Sequence, residues 1–199
     1  DVDVTSIEEY NTTKERYDFI IVQKADLEET KNKLQNLINN MTSIMKNQFA
    51  KQFAIIKENF NQTFRELFGG GKAELNLSDE SNVLESGIEI EVQPPGKKLQ
   101  SMSLLSGGER ALTAIALLFA ILKIKTPPFC ILDEIEAALD DVNVNRFADY
   151  IDKYSKDTQF IVITHRKGTM EAADILYGIT MQEKGVSTLV SVNMIEDKL

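Results

Sequence analysis

Two adjacent carboxylates, Asp133 and Glu134, end the apolar run 127–132 (PPFCIL). A short apolar segment after a proline pair reads as a fully buried strand, most readily in a parallel sheet. In open α/β sheets ligands bind beyond the carboxyl ends of strands. That places the pair at a site and not in the core. An aspartate there can hold a hydrated Mg²⁺ against a polyphosphate, and a glutamate one residue on can orient and deprotonate an attacking water. Two acids also end many strands with no chemistry attached, so the pair gains meaning only from its surroundings. His165, the only histidine, follows a second apolar run, 159–164 (QFIVIT). A neighbouring parallel strand would bring it beside Asp133 and Glu134, although a lone histidine is more often a structural residue.

A second cluster precedes the acids. Leu105-Ser106-Gly107-Gly108-Glu109 opens onto a helix-forming run, 111–123, that is apolar nearly all round. Ser106 is expected at or next to an N-cap. The glycines let another backbone or a ligand come close, and the free N–H groups and helix dipole suit a phosphate. The helix behind them is expected deep inside the protein. After the acids, Ala137-Ala138-Leu139-Asp140 leads to a helix over 142–155 with Val144, Phe147, Ala148, Ile151 and Tyr154 on one face. Asp140 can serve as its N-cap.

A phosphate-binding loop of the Gly-x4-Gly-Lys-Ser/Thr kind is missing. Gly71-Lys72 has Glu66 and Ala73 at the two diagnostic places, and Gly96-Lys97 has Glu91 and Lys98. Lys97 and Lys98 could meet DNA or phosphate; solvated loop lysines are the plainer reading.

The elements that must position these groups follow from periodicity. Residues 6–67 hold no proline or glycine. Ile20, Leu27, Leu34 and Met41 recur every seventh residue, with Tyr17, Ile38 and Met45 on complementary positions, as in a coiled-coil seam. After Met45 the register moves by four, to Phe49, Phe53, Ile56, Phe60, Phe64 and Leu67; such a stutter would mark where the seam leaves a partner helix and docks on a globular head. A helix of this length runs on the order of 90 Å and needs a partner for its seam, self-association being the alternative to a second arm. Gly69-Gly70-Gly71 stops it. Segments 73–78 and 87–93 alternate as two strands of a small antiparallel layer, with a turn at Pro94-Pro95-Gly96. A short helix at 167–173 and a hairpin of 175–182 with 186–192 close the chain.

The chain has 199 residues, 43% apolar and 27% charged, with net charge −9. One globular domain plus an extended element fits, and nothing in the charge attracts DNA or an anionic membrane globally. The single cysteine, Cys130, reads as a small core hydrophobe in a reducing setting. No signal peptide or membrane-length apolar run is evident, and the start at Asp1 suggests a piece of something longer.

In this order, LLSGGERALTAIALLFAILK, CILDE, AALD and FIVITHRKGTMEAADILYGITMQEKGVSTLVSV resemble the ATP-binding-cassette ATPases. More closely, with SIEEY near the start, they resemble the C-terminal half of the ATPase head of a bacterial SMC (structural maintenance of chromosomes) protein. The resemblance covers nearly the whole chain. It implies an α/β fold: the C-terminal lobe of an ABC-type, P-loop-NTPase-like head, a layered sheet with helices, over 68–199, preceded by a coiled-coil arm over 1–67. It implies ATP and Mg²⁺ as cofactors, Asp133 as the metal-holding Walker-B aspartate, Glu134 as catalytic base and His165 as switch histidine. It further implies that Ser106, Gly107, Gly108 and Glu109 form the signature motif, which contacts the ATP of an opposing head, and that Asp140 is the D-loop aspartate between two engaged heads. The implied partners are the N-terminal half of the same head with its Walker A loop, a second SMC head in a homodimer, a kleisin subunit and DNA. The implied output is chromosome condensation and segregation by a cytoplasmic, nucleoid-associated ATPase, the isolated chain being inactive. Coiled-coil DNA-repair ATPases of the same superfamily and a non-catalytic kleisin-binding scaffold are the competing readings; a transporter subunit fits the long heptad helix poorly.

Overall fold

The computed structural model describes residues 4–194. In chain order it contains α1 (Val4–Phe68), β1 (Lys72–Leu77), β2 (Ile88–Gln93), β3 (Gln100–Ser101), a 3-10 turn (Met102–Leu104), α2 (Gly107–Leu122), β4 (Phe129–Asp133), α3 (Asp141–Tyr154), β5 (Gln159–Ile163), α4 (Lys167–Ala172), β6 (Ile175–Glu183) and β7 (Val186–Asn193). The chain divides into two units, 1–50 and 51–199.

The described part of the first unit is helix alone. The seam residues Tyr17, Ile20, Leu27, Leu34, Ile38, Met41 and Met45 are all exposed. Ion pairs Lys24–Glu28 and Lys33–Glu29 at i,i+4 support the helix. No helix among the described residues is long and apolar enough to cross a membrane.

The second unit begins within the same helix. Past the four-residue phase shift, the apolar side chains turn inward: Phe60, Phe64 and Leu67 are fully buried. Phe64 stacks on Phe68 at 4.1 Å and meets Phe60 edge-on at 6.3 Å. Polar groups on this last stretch of α1 fasten it to three other elements. Asn61 accepts from the Ala73 N–H, Asn59 donates to the Ala120 carbonyl, and Tyr154 donates to Glu66. The helix ends where Gly70 N–H reaches back to the Arg65 carbonyl, a closing bond of the Schellman kind. Gly71 has no alternative: φ is +86°, and a Cβ there would lie 2.2 Å from the Gln93 carbonyl oxygen.

The antiparallel layer has three strands where the alternation indicated two, in the order β1-β2-β3, with Lys72 opposite Gln93. The extra pair, Gln100 and Ser101, is too short to carry a period. Ala73, Leu75 and Val92 face inward. Beneath them lie α2 and α3, contributing Leu112, Ile115, Ala116, Phe119, Val144, Phe147 and Tyr150 to one core. Burial holds the Tyr150 hydroxyl far above its ordinary range; it stays protonated and donates to buried Thr63.

Two burial expectations are corrected. β4 and β5 pair in parallel, but they form a sheet of two strands covered on one face. Leu132 is buried, while Phe129, Ile131, Ile161 and Ile163 are exposed. Cys130 is half-buried, and burial pushes its thiol up. Likewise α2 buries one side and leaves Leu118 and Ile121 outward. An apolar composition on all sides calls for cover on all sides, and this chain supplies only part of it.

Phe64 is fully buried where α1 meets the sheet. Phe64→Ala is expected to destabilise the second unit by about 3–5 kcal/mol. Urea unfolding followed by circular dichroism should show a lower midpoint at unchanged slope; an unchanged midpoint would contradict this packing.

Candidate nucleotide-hydrolysis site

The parallel register sets Asp133 opposite Ile163. The next residue on the first strand, Glu134, donates its N–H to the Ile163 carbonyl at 3.0 Å. Glu134 has φ +48° and is the only non-glycine residue with positive φ among those described. A left-handed glutamate is uncommon and costs on the order of 1 kcal/mol or more, so it persists where surrounding contacts hold it. The turn continues with Ala137 N–H to the Glu134 carbonyl and Leu139 N–H to the Glu136 carbonyl.

The geometry brings Glu134 and His165 together. His165 Nδ1 lies 3.4 Å from Glu134 Oε1, and both side chains are more than half exposed, at 64% and 56%. An imidazole beside a carboxylate, both open to solvent at the carboxyl ends of adjacent parallel strands, can orient a water and move its proton. The exposed Asp133 carboxylate has no hydrogen bond or ion pair to any described residue. It is a single free hard-oxygen donor, and the described residues contain no group of three or more metal-binding side chains. That set fits Mg²⁺, which takes one or two protein carboxylates and fills its remaining positions with water and phosphate oxygens.

Ser106 is the N-cap of α2, as its position before the helix predicts. It accepts from the Glu109 N–H while the Glu109 carboxylate accepts from the Ser106 N–H, a full capping box. The Ser106 hydroxyl also donates to Glu109 at 2.8 Å. Arg110 pins the approach by donating to the Ser103 and Leu105 carbonyls. Gly107 has open space where a side chain would be, and a Cβ on Gly108 would sit 3.5 Å from the Ala138 carbonyl. The Ser106–Gly108 turn therefore lies against the loop that leads to Asp140. Asp140 caps α3, accepting from the Asn143 N–H at 2.8 Å.

Three residues were not picked out by motif. Lys97 is an exposed loop lysine, as read, but it is paired: its Nζ lies 2.8 and 2.9 Å from the two oxygens of Glu109. Only the Pro-Pro-Gly turn before it hinted at a fixed position. Glu136, two residues beyond the acidic pair, is fully buried and indistinguishable by sequence from its neighbours. Arg166 reaches back to the Leu139 carbonyl; its one signal was adjacency to His165.

Comparisons with known proteins establish the family and the fold. A family model described as the RecF/RecN/SMC N terminal domain matches residues 3–188, and the chain belongs to that family. Its mixed α/β fold with a long leading helix is that of SMC ATPase heads. One solved structure, described under ATP-driven dimerization and DNA stimulated activation of SMC ATPases, is 45% identical with a TM-score of 0.70, covering 77% of this chain and 92% of that one. The Smc head with an extended coiled coil from Pyrococcus furiosus, bound to the C-terminal domain of ScpA, is 39% identical with a TM-score of 0.74, covering 98% of this chain and 48% of that one. Among curated proteins, chromosome partition protein Smc of Bacillus subtilis (strain 168) is 60% identical over 197 residues, 99% of this chain. Its counterpart in Desulfitobacterium hafniense (strain Y51) is 61% identical over 193 residues, 97% of this chain. The chain spans only 17% and 16% of the length of those two relatives. The matching model is described as an N-terminal domain, against the expectation of a C-terminal half; what the match establishes is the family.

The Lys97–Glu109 contact has a pH signature. Lys97's hydrogen bond holds the Glu109 carboxyl below its ordinary value of 4.5, partial burial opposes this, and Ser106 adds to the lowering. A depressed carboxyl contributes stability that is complete above the ordinary value and is lost as pH falls through the depressed one. In Lys97→Ala the Glu109 titration, followed by carboxyl-carbon NMR, should move up toward 4.5. A midpoint that stays put would contradict the pairing.

Proposed function

We propose that this chain is the half of an SMC ATPase head that lacks the phosphate-binding loop, the C-terminal half, with its coiled-coil arm over 1–67 and its lobe over 68–199. The observation that carries the reading is the Glu134–His165 contact at 3.4 Å beside a free Asp133. Motif content supports the choice of half, since neither glycine–lysine pair has phosphate-loop spacing. So does the exposed apolar face of Phe129, Ile131, Ile161 and Ile163, which another layer of the same head would cover.

In this reading the substrate is ATP. A bound Mg²⁺ supplies charge neutralisation on the phosphate oxygens, and Asp133 is its protein ligand. Glu134 orients the attacking water and takes its proton, while His165 holds Glu134 and the water in line through hydrogen bonds. Ser106, Gly107 and Gly108 present the open N-terminus of α2 to the ATP of a second head, with Glu109 fixing the turn. Asp140 stands at the meeting of the two heads. Binding thus joins a homodimer of heads, and hydrolysis releases it. The whole protein acts on DNA in chromosome condensation and segregation, in the nucleoid-associated cytoplasm, with a kleisin of the ScpA kind as partner. Holding only half of each of two composite sites leaves the isolated chain without turnover.

The test uses the full-length protein. Glu134→Gln should keep ATP binding and ATP-dependent dimers and lose turnover by at least about a hundredfold. Ser106→Arg should keep ATP binding and lose the ATP-dependent dimer seen in analytical sedimentation. Steady-state hydrolysis near the parent rate in the first variant, or normal dimers in the second, would refute the assignment.

A further inference from the structure

One short segment, 163–169, grips the acidic turn 134–139 at its start, middle and end. At the start, the Ile163 carbonyl accepts from the Glu134 N–H at 3.0 Å. In the middle, Thr169 Oγ1 donates to Glu136 Oε1 at 3.2 Å. At the end, Arg166 Nη2 donates to the Leu139 carbonyl and lies 3.4 Å from Asp141 Oδ1. The same segment carries His165 between the first and last of these grips.

Several observations say that these contacts position the turn. Glu136 is fully buried, and its second oxygen has no partner among the described residues. Thr169, itself only 6% exposed, is thus the donor to the one bonded oxygen of this carboxyl. Arg166 is the N-cap residue of α4 but makes no side-chain cap there; its guanidinium is spent on the turn instead. Its side chain is 25% exposed, so the bond to Leu139 is partly shielded from water. Packing leaves little play: a Cβ on Gly168 would lie 2.5 Å from Asn145 Oδ1 and 3.1 Å from a Val144 methyl. α4 is therefore seated directly on the first turn of α3, which Asp140 caps.

We infer that Arg166, assisted by Thr169, is a positioning residue for hydrolysis: it locks the loop of Glu134 and Asp140 to the loop of His165, so that base, histidine and inter-head aspartate move as one body. This rests on the proposed function. A guanidinium suits the task because it presents several donors in a rigid fork, reaching a carbonyl and a carboxylate at once. Without it, the turn keeps its bonds to Ile163 and Thr169 at the start and middle, but its end at Leu139 loses the grip of the histidine segment. Small misplacements of this kind lower the chemical step more than they lower binding.

The experiment compares Arg166→Ala, Arg166→Lys and Asp140→Ala in the full-length protein, with Glu134→Gln as reference. Arg166→Ala is expected to lower kcat about tenfold with KM for ATP within about twofold. Arg166→Lys, which keeps the charge but not the fork, should recover part of that loss. The double variant Arg166→Ala with Asp140→Ala should be no slower than about twice the slower single variant, because both changes act on one loop. An unchanged kcat in Arg166→Ala, or losses that multiply in the double variant, would overturn the inference. A kcat lost together with the melting transition in both Arg166 variants would assign Arg166 to folding alone and overturn it too. Those results leave the proposed function standing if Glu134→Gln abolishes turnover. Full turnover in Glu134→Gln would instead remove the proposed function, and this inference with it.

Discussion

The parallel ladder between β4 and β5 is the contact on which the rest depends. Its register sets Asp133 opposite Ile163, and from that one alignment Glu134 and His165 leave their strands at the same edge. A slip of one residue would reverse the faces of a whole strand, turning Leu132 or Val162 outward and carrying the histidine away from the glutamate. The ladder does not stop at the strand end. The Ile163 carbonyl takes one further bond from Glu134, so the strained residue is the first one past regular pairing. Side chains at such a place borrow their precision from the sheet, which is why a two-stranded sheet is enough to define the geometry.

What holds the ladder is helical. α2 and α3 pack against its covered face through Phe119, Phe147 and Tyr150, with ring centroids 6.3 and 4.9 Å from Phe119. Phe160 of β5 meets the same ring at 6.1 Å. The last turns of α1 close this core from another side through Phe60, Phe64 and Leu67. Glu66 then gathers Tyr154, Lys153 and Lys123 around one carboxylate. Although burial alone would raise its titration, the Gln62 hydrogen bond and the two lysines hold it below the ordinary value. The root of the arm, the signature helix and the helix behind the acidic turn therefore share one packed centre, and a displacement of one is felt by the others.

Much of this was legible in the chain. The heptads, the triple-glycine stop, the N-caps at Ser106 and Asp140, the parallel pair and the meeting of Glu134 with His165 all follow from short-range patterns. Most element ends differ by a residue or two, as expected where caps fray; α2 starts four residues earlier than the run 111–123, at Gly107 directly after its Ser106 cap. The misreadings share one cause. Burial was inferred from composition: CIL and FIVI look like strands covered on both faces, and α2 looks like a helix surrounded by protein. Composition reports the environment a segment is suited to, and the described residues supply no partner layer for one face of each. The partner of Lys97 was missed, and Glu136 and Arg166 were passed over, for a different reason. Each acts at a distance, across 12, 33 and 27 residues respectively, and charged residues in loops carry no period that would announce a partner.

The sequence by itself determined which chemistry is possible here: two acids at a strand end, a lone histidine after a second strand, a serine–glycine helix start, and no loop able to cradle phosphates. These are local properties, set by side-chain identity and by steric limits over a few residues. Tertiary structure alone decided that Glu134 sits in a left-handed turn, that Arg166 and Thr169 bond that turn to the segment of His165, and that Lys97 pairs with the capping-box carboxylate of Glu109. Such choices arise when segments far apart in the chain compete for the same few donors and the same space, and only the folded packing settles which of them meet.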